Sequence, residues 1–269
     1  MLKVLLLGLV ITSSGCAFSQ NASKADMTPA FWQRDRDANF EDEGRMHCAP
    51  ASVSDGLIYL SKQFGFKDLV PGTGHEAQIK LIKELADDFG TDPSIGGTKP
   101  DKILTGLRTY MEGNGFEIKR LELKTWKGVS ASNKKFKIGT KPDMEWMRSA
   151  ATARDTIMVF NFGWYKEGDD GMERKGGHWV AVVGMSGNDF IVHNPILESE
   201  KQLENTALKL TRLDPDFTVT KDSGETHMKG YYEGNGPGLP HAQKVTAILD
   251  AVIVLSLEKA AKPAHRKDQ

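Results

Sequence analysis

Apolar positions at helical spacing dominate the first half of the chain. From Ala51 to Phe64 they follow one helix face, and Pro50 is tolerated only in a first turn. This helix is therefore predicted to start near Cys48 and to end before Gly65. The same periodicity, bounded by proline or glycine, predicts three more helices. They run over 76–89, 101–112 and 142–153.

The second half changes to short apolar runs bounded by turn residues, which are typical of strands. A strand over 157–162 precedes a polar loop over 166–177, and a hairpin follows, with its turn over 186–189. The other predicted strands cover 178–185, 190–193, 208–213, 217–220 and 247–257. Helices first and mainly antiparallel strands after them indicate an α+β domain, with N-terminal helices packed on a C-terminal antiparallel sheet.

The first nineteen residues have the features of an export signal. Lys3 supplies a positive charge, and the apolar run over 4–11 is shorter than the roughly 20 residues that a membrane-spanning helix needs. Cleavage before Gln20 is one interpretation. The alternative is a lipid anchor at Cys16, since the Gly-Cys pair resembles a bacterial lipobox. We expect an exported chain, periplasmic or extracellular, without a transmembrane segment once it is mature.

The rest of the chain divides into three parts: an extended lead-in over 20–45, one domain over 46–258 and a charged, disordered tail over 259–269. The composition, 39 % hydrophobic and 26 % charged, is that of a globular protein. Because 35 basic residues balance 36 acidic ones, no charge pattern favours nucleic-acid binding. We expect a monomer.

A single thiol is left to the mature chain, because processing removes or blocks Cys16. The remaining thiol, Cys48, lies at a predicted helix N-terminus. Free N–H groups and the helix dipole favour a thiolate there and predict a lowered pKa. A thiolate attacks carbonyl carbon, and the backbone N–H of Cys48 would stabilise the resulting oxyanion. Cys48 is therefore the candidate nucleophile, although a buried structural cysteine is the ordinary alternative.

A cysteine nucleophile needs a base and a group that orients the base. His178 begins one strand of the predicted hairpin, and Asn194 ends the other. Folding at the 186–189 turn brings both residues to the same end of the hairpin. The sequence thus predicts a Cys48–His178–Asn194 set, in which Cys48 and His178 form an ion pair.

These motifs resemble those of the papain-like cysteine peptidases. They are CAPAS at 48–52, opening a helix, GHWV at 177–180 before an apolar strand, and NP at 194–195. The nearest branch is that of the secreted relatives of the bacteriocin leader-processing peptidases. The resemblance implies a papain-like α+β fold and hydrolysis of amide bonds in a peptide or protein through an acyl-enzyme. It also implies Cys48 as nucleophile, His178 as base and Asn194 as orienting group, without a cofactor.

One departure concerns the oxyanion hole. The family has a glutamine there, but Asp42 stands at the matching position, six residues before Cys48. The nearest upstream glutamine, Gln33, becomes the candidate if a longer loop returns it to the site. An acid at position 42 favours an alternative function, a catalytically degenerate binding module on the same fold. Acyl transfer to an amine instead of water is a third alternative.

A metal site is not predicted. Four residues supply metal-binding side chains near the candidate nucleophile or base, but they lack the compact spacing of a zinc site. They are His47, Cys48, His178 and His193.

Overall fold

The structure is a computed structural model that describes residues 23–168, 171–197, 205–214, 216, 218–221, 224–240 and 245–259. The predicted signal over 1–19, with Cys16, lies outside these residues, as does the tail after Lys259. The helices of the described part, short 3₁₀ turns aside, are α1 (Lys24–Met27), α2 (Cys48–Phe64), α3 (His75–Phe89), α4 (Pro100–Gly113) and α5 (Met144–Thr152).

The four helices predicted from periodicity are present as α2 to α5, with ends within two residues of the prediction. Helix α2 begins at Cys48 and ends at Phe64, where Gly65 takes the left-handed conformation at φ 67°. Glycine adopts this conformation at little cost, which explains the sharp end of the helix. Among the described residues, no helix has the length and apolar character needed to cross a membrane.

The described strands form one ten-stranded sheet. Four of them were not predicted: β1, β2, β8 and β9. The strands are β1 (Phe116–Thr125), β2 (Lys137–Gly139), β3 (Ile157–Gly168), β4 (Gly171–Ser186), β5 (Asp189–His193), β6 (Thr206–Arg212), β7 (Thr218–Lys221), β8 (Gly224–His227), β9 (Tyr232–Asn235) and β10 (Val245–Lys259).

Six of these strands close into an antiparallel barrel, in the order β3, β4, β5, β6, β9, β10 and back to β3. Strand β10 closes the ring because it pairs with both β3 and β9. The predicted papain-like α+β fold, with helices on an antiparallel sheet, is therefore wrong. The sequence indicates five of the six barrel strands, all but β9, but not that the two edges of the twisted sheet meet.

The barrel separates two apolar cores. Its interior holds side chains from all six strands, with α5 packed against them, whereas α2, α3 and α4 pack on the outer wall formed by β1, β3 and β10. A bulge in β10 falls between Leu249 and Ala251. Leu249 and Val252 belong to the inner core, whereas Ala251 belongs to the outer one. The extra residue, Asp250, therefore lies on the outer face. Bulges commonly redirect a side chain in this way.

Two segments differ from their predicted character. The described part of the loop predicted over 166–177 is strand, because β3 and β4 stay paired as far as Gly168 and Gly171. Charged and glycine residues hid this pairing from the sequence pattern. The lead-in contains α1 and a 3₁₀ turn, and it buries Phe31 and Phe40 against the helices. It is therefore a packed part of the domain.

Candidate active site

The structure joins His178 and Asn194 directly. His178 Nε2 lies 2.6 Å from Asn194 Oδ1, and both side chains are buried. Pairing of Ala181 with His193 across β4 and β5 fixes the register that brings them together. The predicted meeting of His178 and Asn194 at one end of the hairpin is confirmed.

The partners of Asn194 determine which nitrogen of His178 carries the proton. Asn194 Nδ2 donates to the carbonyl of Pro237 at 2.9 Å, so its Oδ1 is the acceptor that faces the imidazole. His178 must therefore donate from Nε2, and in the neutral ring the lone pair is on Nδ1. Nδ1 is consequently the nitrogen available to take a proton.

Cys48 begins α2 and lies against the segment of β4 that carries His178. The backbone N–H groups of Trp179, Ala49 and Cys48 all favour its thiolate. Ser52, one turn further along α2, donates to the carbonyl of Trp179 at 3.1 Å and ties the helix to the strand. The candidate nucleophile and the candidate base thus lie on α2 and β4, and this hydrogen bond joins the two elements close to both residues.

Burial acts against the protonation states that the sequence predicts for Cys48 and His178. Burial raises the pKa of the Cys48 thiol to about 11, although three backbone N–H groups act in the opposite direction. Burial also lowers the pKa of His178 to about 4, against the effect of Asn194. Between the two described side chains there is no hydrogen bond. Burial thus favours the neutral thiol and the neutral imidazole, against the effect of the helix N-terminus, and the thiolate–imidazolium ion pair stays a prediction.

Gln33 reaches the site although it lies fifteen residues before Cys48. It lines the same cleft as Cys48 and is 3 % exposed. Its Nε2 donates to the carbonyls of Gly44 at 3.1 Å and Arg45 at 2.8 Å, while its Oε1 is buried without a hydrogen-bond partner. Both amide hydrogens are thus engaged. Gln33 positions the turn before α2 and does not present a free donor to the cleft.

Asp42 does not occupy the oxyanion position that its place in the sequence indicates. It lies in a tight turn before α2, where Asp42, Glu43 and Gly44 all have positive φ. Its carboxylate is 3.9 Å from the Arg45 guanidinium and does not line the cleft. Gly44 is required here, since a Cβ would lie 1.8 Å from the carbonyl oxygen of Gln33.

A cleft of about 720 Å³ opens beside Cys48 and His178. Trp164 forms one wall and stacks on the His178 ring, with centroids 6.1 Å apart at 19°. Trp179 is in the outer core, and its Nε1 donates to the carbonyl of Thr98 at 3.2 Å. Trp164, which the sequence analysis did not single out, is therefore the aromatic side chain that covers the imidazole.

Asn161 also belongs to the site, although no sequence motif marks it. Its Nδ2 donates to the carbonyl of His178 at 3.3 Å, and its Oδ1 accepts from Lys127 Nζ at 3.0 Å. Lys127 in turn pairs with the fully buried Asp250 at 3.1 Å. The signal for this network was the aspartate inside the apolar run over 247–257.

No described residue of the considered zinc set forms a metal cluster with the others. Among the residues that the structure describes, one trio brings three acidic or histidine ligand atoms within 4.8 Å of one another: Asp35, Asp37 and His75. His75 Nε2 already pairs with Asp35 at 3.2 Å, and no member of the trio lines the cleft. The trio is therefore separate from the candidate active site.

Comparison with known proteins gives no family assignment. No protein-family model matches the chain. A search of curated proteins finds no significant match either. The resemblance to papain-like cysteine peptidases thus remains a prediction from the short motifs around Cys48, His178 and Asn194.

Proposed function

We propose that the protein is an exported thiol hydrolase that cleaves amide bonds through an acyl-enzyme. The observation that carries the proposal is the His178–Asn194 hydrogen bond of 2.6 Å, on a cleft that Cys48 also lines. A base oriented by a third group and directed at a nucleophile is the arrangement that nucleophilic catalysis requires. Export rests on the sequence alone.

Catalysis would begin from a neutral thiol and a neutral imidazole. As Cys48 Sγ attacks the substrate carbonyl carbon, His178 Nδ1 takes the thiol proton. The tetrahedral intermediate collapses when His178 returns that proton to the leaving amine, and a thioester on Cys48 remains. Water, deprotonated by His178, then attacks the thioester and releases the carboxylic acid and the thiol. Asn194 holds the imidazolium that forms in each half of the cycle.

The start of α2 would supply the oxyanion hole. The N–H groups of Cys48 and Ala49 have no backbone acceptor among the described residues, and Pro50 has no N–H. N–H groups at a helix N-terminus that have no backbone acceptor stabilise developing negative charge. Because the amide of Gln33 is engaged elsewhere, the backbone is the proposed source of oxyanion stabilisation.

A non-catalytic binding module is the second candidate. Two observations favour it: the raised pKa of Cys48 and the engaged Nε2 of Gln33. In that case the cleft would hold a peptide without cleaving it, and Cys48 would contribute to packing.

Turnover of a peptide library separates the two candidates. The purified mature protein is incubated with N-acetylated decapeptides of varied sequence, and products are identified by mass spectrometry. We expect cleavage by the native protein and none by the Cys48→Ala protein. Equal cleavage by both would overturn the proposal. Peptides that bind both proteins and remain intact would establish the binding module.

A matched control protects this comparison from effects on folding. His178→Gln should abolish cleavage, whereas His193→Gln should retain it. Both histidines are buried and both have pKa values lowered by burial, but His193 bonds the carbonyl of Pro29 and does not line the cleft. Loss of cleavage in both variants would indicate a structural effect.

A further inference from the structure

We propose that Lys127 and Arg174 form a subsite that binds a carboxylate of the substrate next to the scissile bond. This inference rests on the proposed function, because it names the substrate class of the same site: peptides with an acidic side chain or a terminal carboxylate. It starts from the charge of the cleft. The chain is nearly neutral, with a formal charge of −1.

Within the described residues, the lining of the cleft carries five basic side chains and one acidic side chain. A cleft of one sign of charge concentrates ligands of the opposite sign. The six residues are Arg45, Lys99, Lys127, Arg174, Lys175 and Asp101.

The one acidic side chain of this lining, Asp101, accepts hydrogen bonds from neighbouring residues. The carboxylate of Asp101 accepts from the backbone N–H of Ser130 at 2.9 Å, from its hydroxyl at 3.0 Å and from Asn133 Nδ2 at 2.8 Å. These bonds also lower the pKa of Asp101, against the effect of its burial. The carboxylate thus holds the 130–133 segment in place through these hydrogen bonds.

Asp250 fixes the two cations without cancelling their charge. Its Oδ2 lies 2.7 Å from Arg174 Nε and 3.1 Å from Lys127 Nζ, and its Oδ1 accepts from Tyr165 and Trp126. Burial would raise the pKa of Asp250, but the two cations hold it below its ordinary value. Counted over these three described side chains alone, two cations and one anion give the cluster a net charge of +1.

Arg174 keeps donors for a ligand. It bonds Asp250 through Nε, and its two Nη groups have no hydrogen-bond partner among the described residues. The side chain is 15 % exposed, on the cleft. A guanidinium held in this way offers a planar pair of donors, which matches a carboxylate.

The subsite adjoins the proposed base. A Cβ on Gly177 would lie 2.3 Å from Arg174 Nη2, so the guanidinium lies over the residue that precedes His178. Lys127 bonds Asn161, which bonds the carbonyl of His178. The carboxylate would therefore lie close to the amide bond under attack. Glycine at position 177 leaves the room that the guanidinium needs.

Paired peptides test the subsite. Each cleaved sequence is compared in two arms: Glu against Gln at one position, and a free C-terminus against an amidated one. We expect kcat/KM to be about 10- to 100-fold higher for the carboxylate member of at least one arm, since hydrogen bonds to charged groups are strong. The arm that responds identifies the source of the carboxylate. Equal rates in both arms would overturn the subsite and leave the hydrolase proposal intact.

Charge restoration separates binding from folding. Lys127→Gln makes the cluster of Lys127, Arg174 and Asp250 neutral. It should reduce the preference for the carboxylate member of a peptide pair about tenfold. Lys127→Gln/Asp250→Asn returns the net charge to +1 and should restore it. Lys80→Gln, on the exposed face of α3 and outside the cleft lining, should leave the preference unchanged. The same loss in Lys80→Gln as in Lys127→Gln, or no loss in either, would overturn the assignment.

Binding provides a readout that does not need turnover. If no peptide is cleaved, the hydrolase proposal fails, and the Kd of each pair is measured on the Cys48→Ala protein by fluorescence anisotropy. At least tenfold tighter binding of the carboxylate member would support the subsite. Equal Kd values would overturn it.

Discussion

Two buried polar groups, each of which includes one residue of β4, differ in charge. The His178–Asn194 pair is neutral, since burial lowers the pKa of His178 to about 4 and its partner is an amide. The cluster around Asp250 is charged, since Lys127 and Arg174 keep the aspartate ionised. An amide can orient a buried imidazole. Because the amide carries no charge, it does not offset the desolvation cost of protonating the imidazole. A buried carboxylate stays ionised only because cations surround it.

This difference matches two separate tasks. A base must change its protonation state during the reaction, so its partner must tolerate both states. A subsite that recognises charge must keep its own charge fixed. The contrast teaches that the charge of the partners decides whether a buried titratable group stays neutral or ionised.

The largest expected effect comes from removing the base. His178→Gln should lower kcat/KM at least about 1,000-fold, because the nucleophile loses its proton acceptor. Steady-state kinetics on a cleaved peptide measures it, with His193→Gln as the control. A loss below about tenfold would show that His178 does not act as the base.

Breaking the charged cluster should destabilise the fold. Asp250→Ala removes the buried carboxylate that pairs with both Lys127 and Arg174 and should lower the free energy of unfolding by about 3 to 5 kcal/mol. Urea unfolding measures the change. The control is Glu84→Ala, which removes a carboxylate 3.8 Å from Lys80 on the exposed face of α3. It should cost less than about 1 kcal/mol, and an equal cost for both would refute the contrast.

The neutral pair should make the protein sensitive to acid. Since the pKa of His178 is about 4 when folded and 6.5 in an ordinary setting, the unfolded chain binds the proton first as pH falls. The contribution of His178 to stability is complete above pH 6.5 and is lost toward pH 4. The loss amounts to about 3 kcal/mol. Urea unfolding at several pH values should show the native protein losing this much more than His178→Gln.

The smallest expected effect concerns the resting thiol. With a pKa of about 11 against an ordinary 9.0, Cys48 should react with iodoacetamide about 100-fold more slowly than a free thiol at pH 8. Its rate should keep rising above pH 9 and should change little in His178→Ala. A rapid reaction at pH 6 that is lost in His178→Ala would instead show an ion pair.

The helices could be predicted from the sequence because their signals are local. Periodicity and the Pro50 and Gly65 boundaries place α2 without tertiary information. Closure of the barrel depends on β10 pairing with β3, which begins about ninety residues earlier. A pattern of apolar residues does not show which distant strands meet.

The sequence predicts which residues form the Cys48–His178–Asn194 set better than it predicts their protonation states. Folding of one hairpin brings His178 to Asn194, and the turn residues at 186–189 predict that hairpin. The protonation of Cys48 depends on its burial in the outer core next to Trp179 of β4, which no local motif reveals. Asn161 could not be predicted because a single polar residue in an apolar strand is common and does not by itself indicate a site.

The most direct test of the central claim is the mass of the protein during turnover. Native protein is mixed with an equimolar set of N-acetyl peptide ethyl thioesters, quenched in acid and analysed by mass spectrometry. We predict an acyl group in thioester linkage on Cys48, removable by hydroxylamine and absent from His178→Gln. An unmodified Cys48, or equal labelling of the native and His178→Gln proteins, would contradict the account.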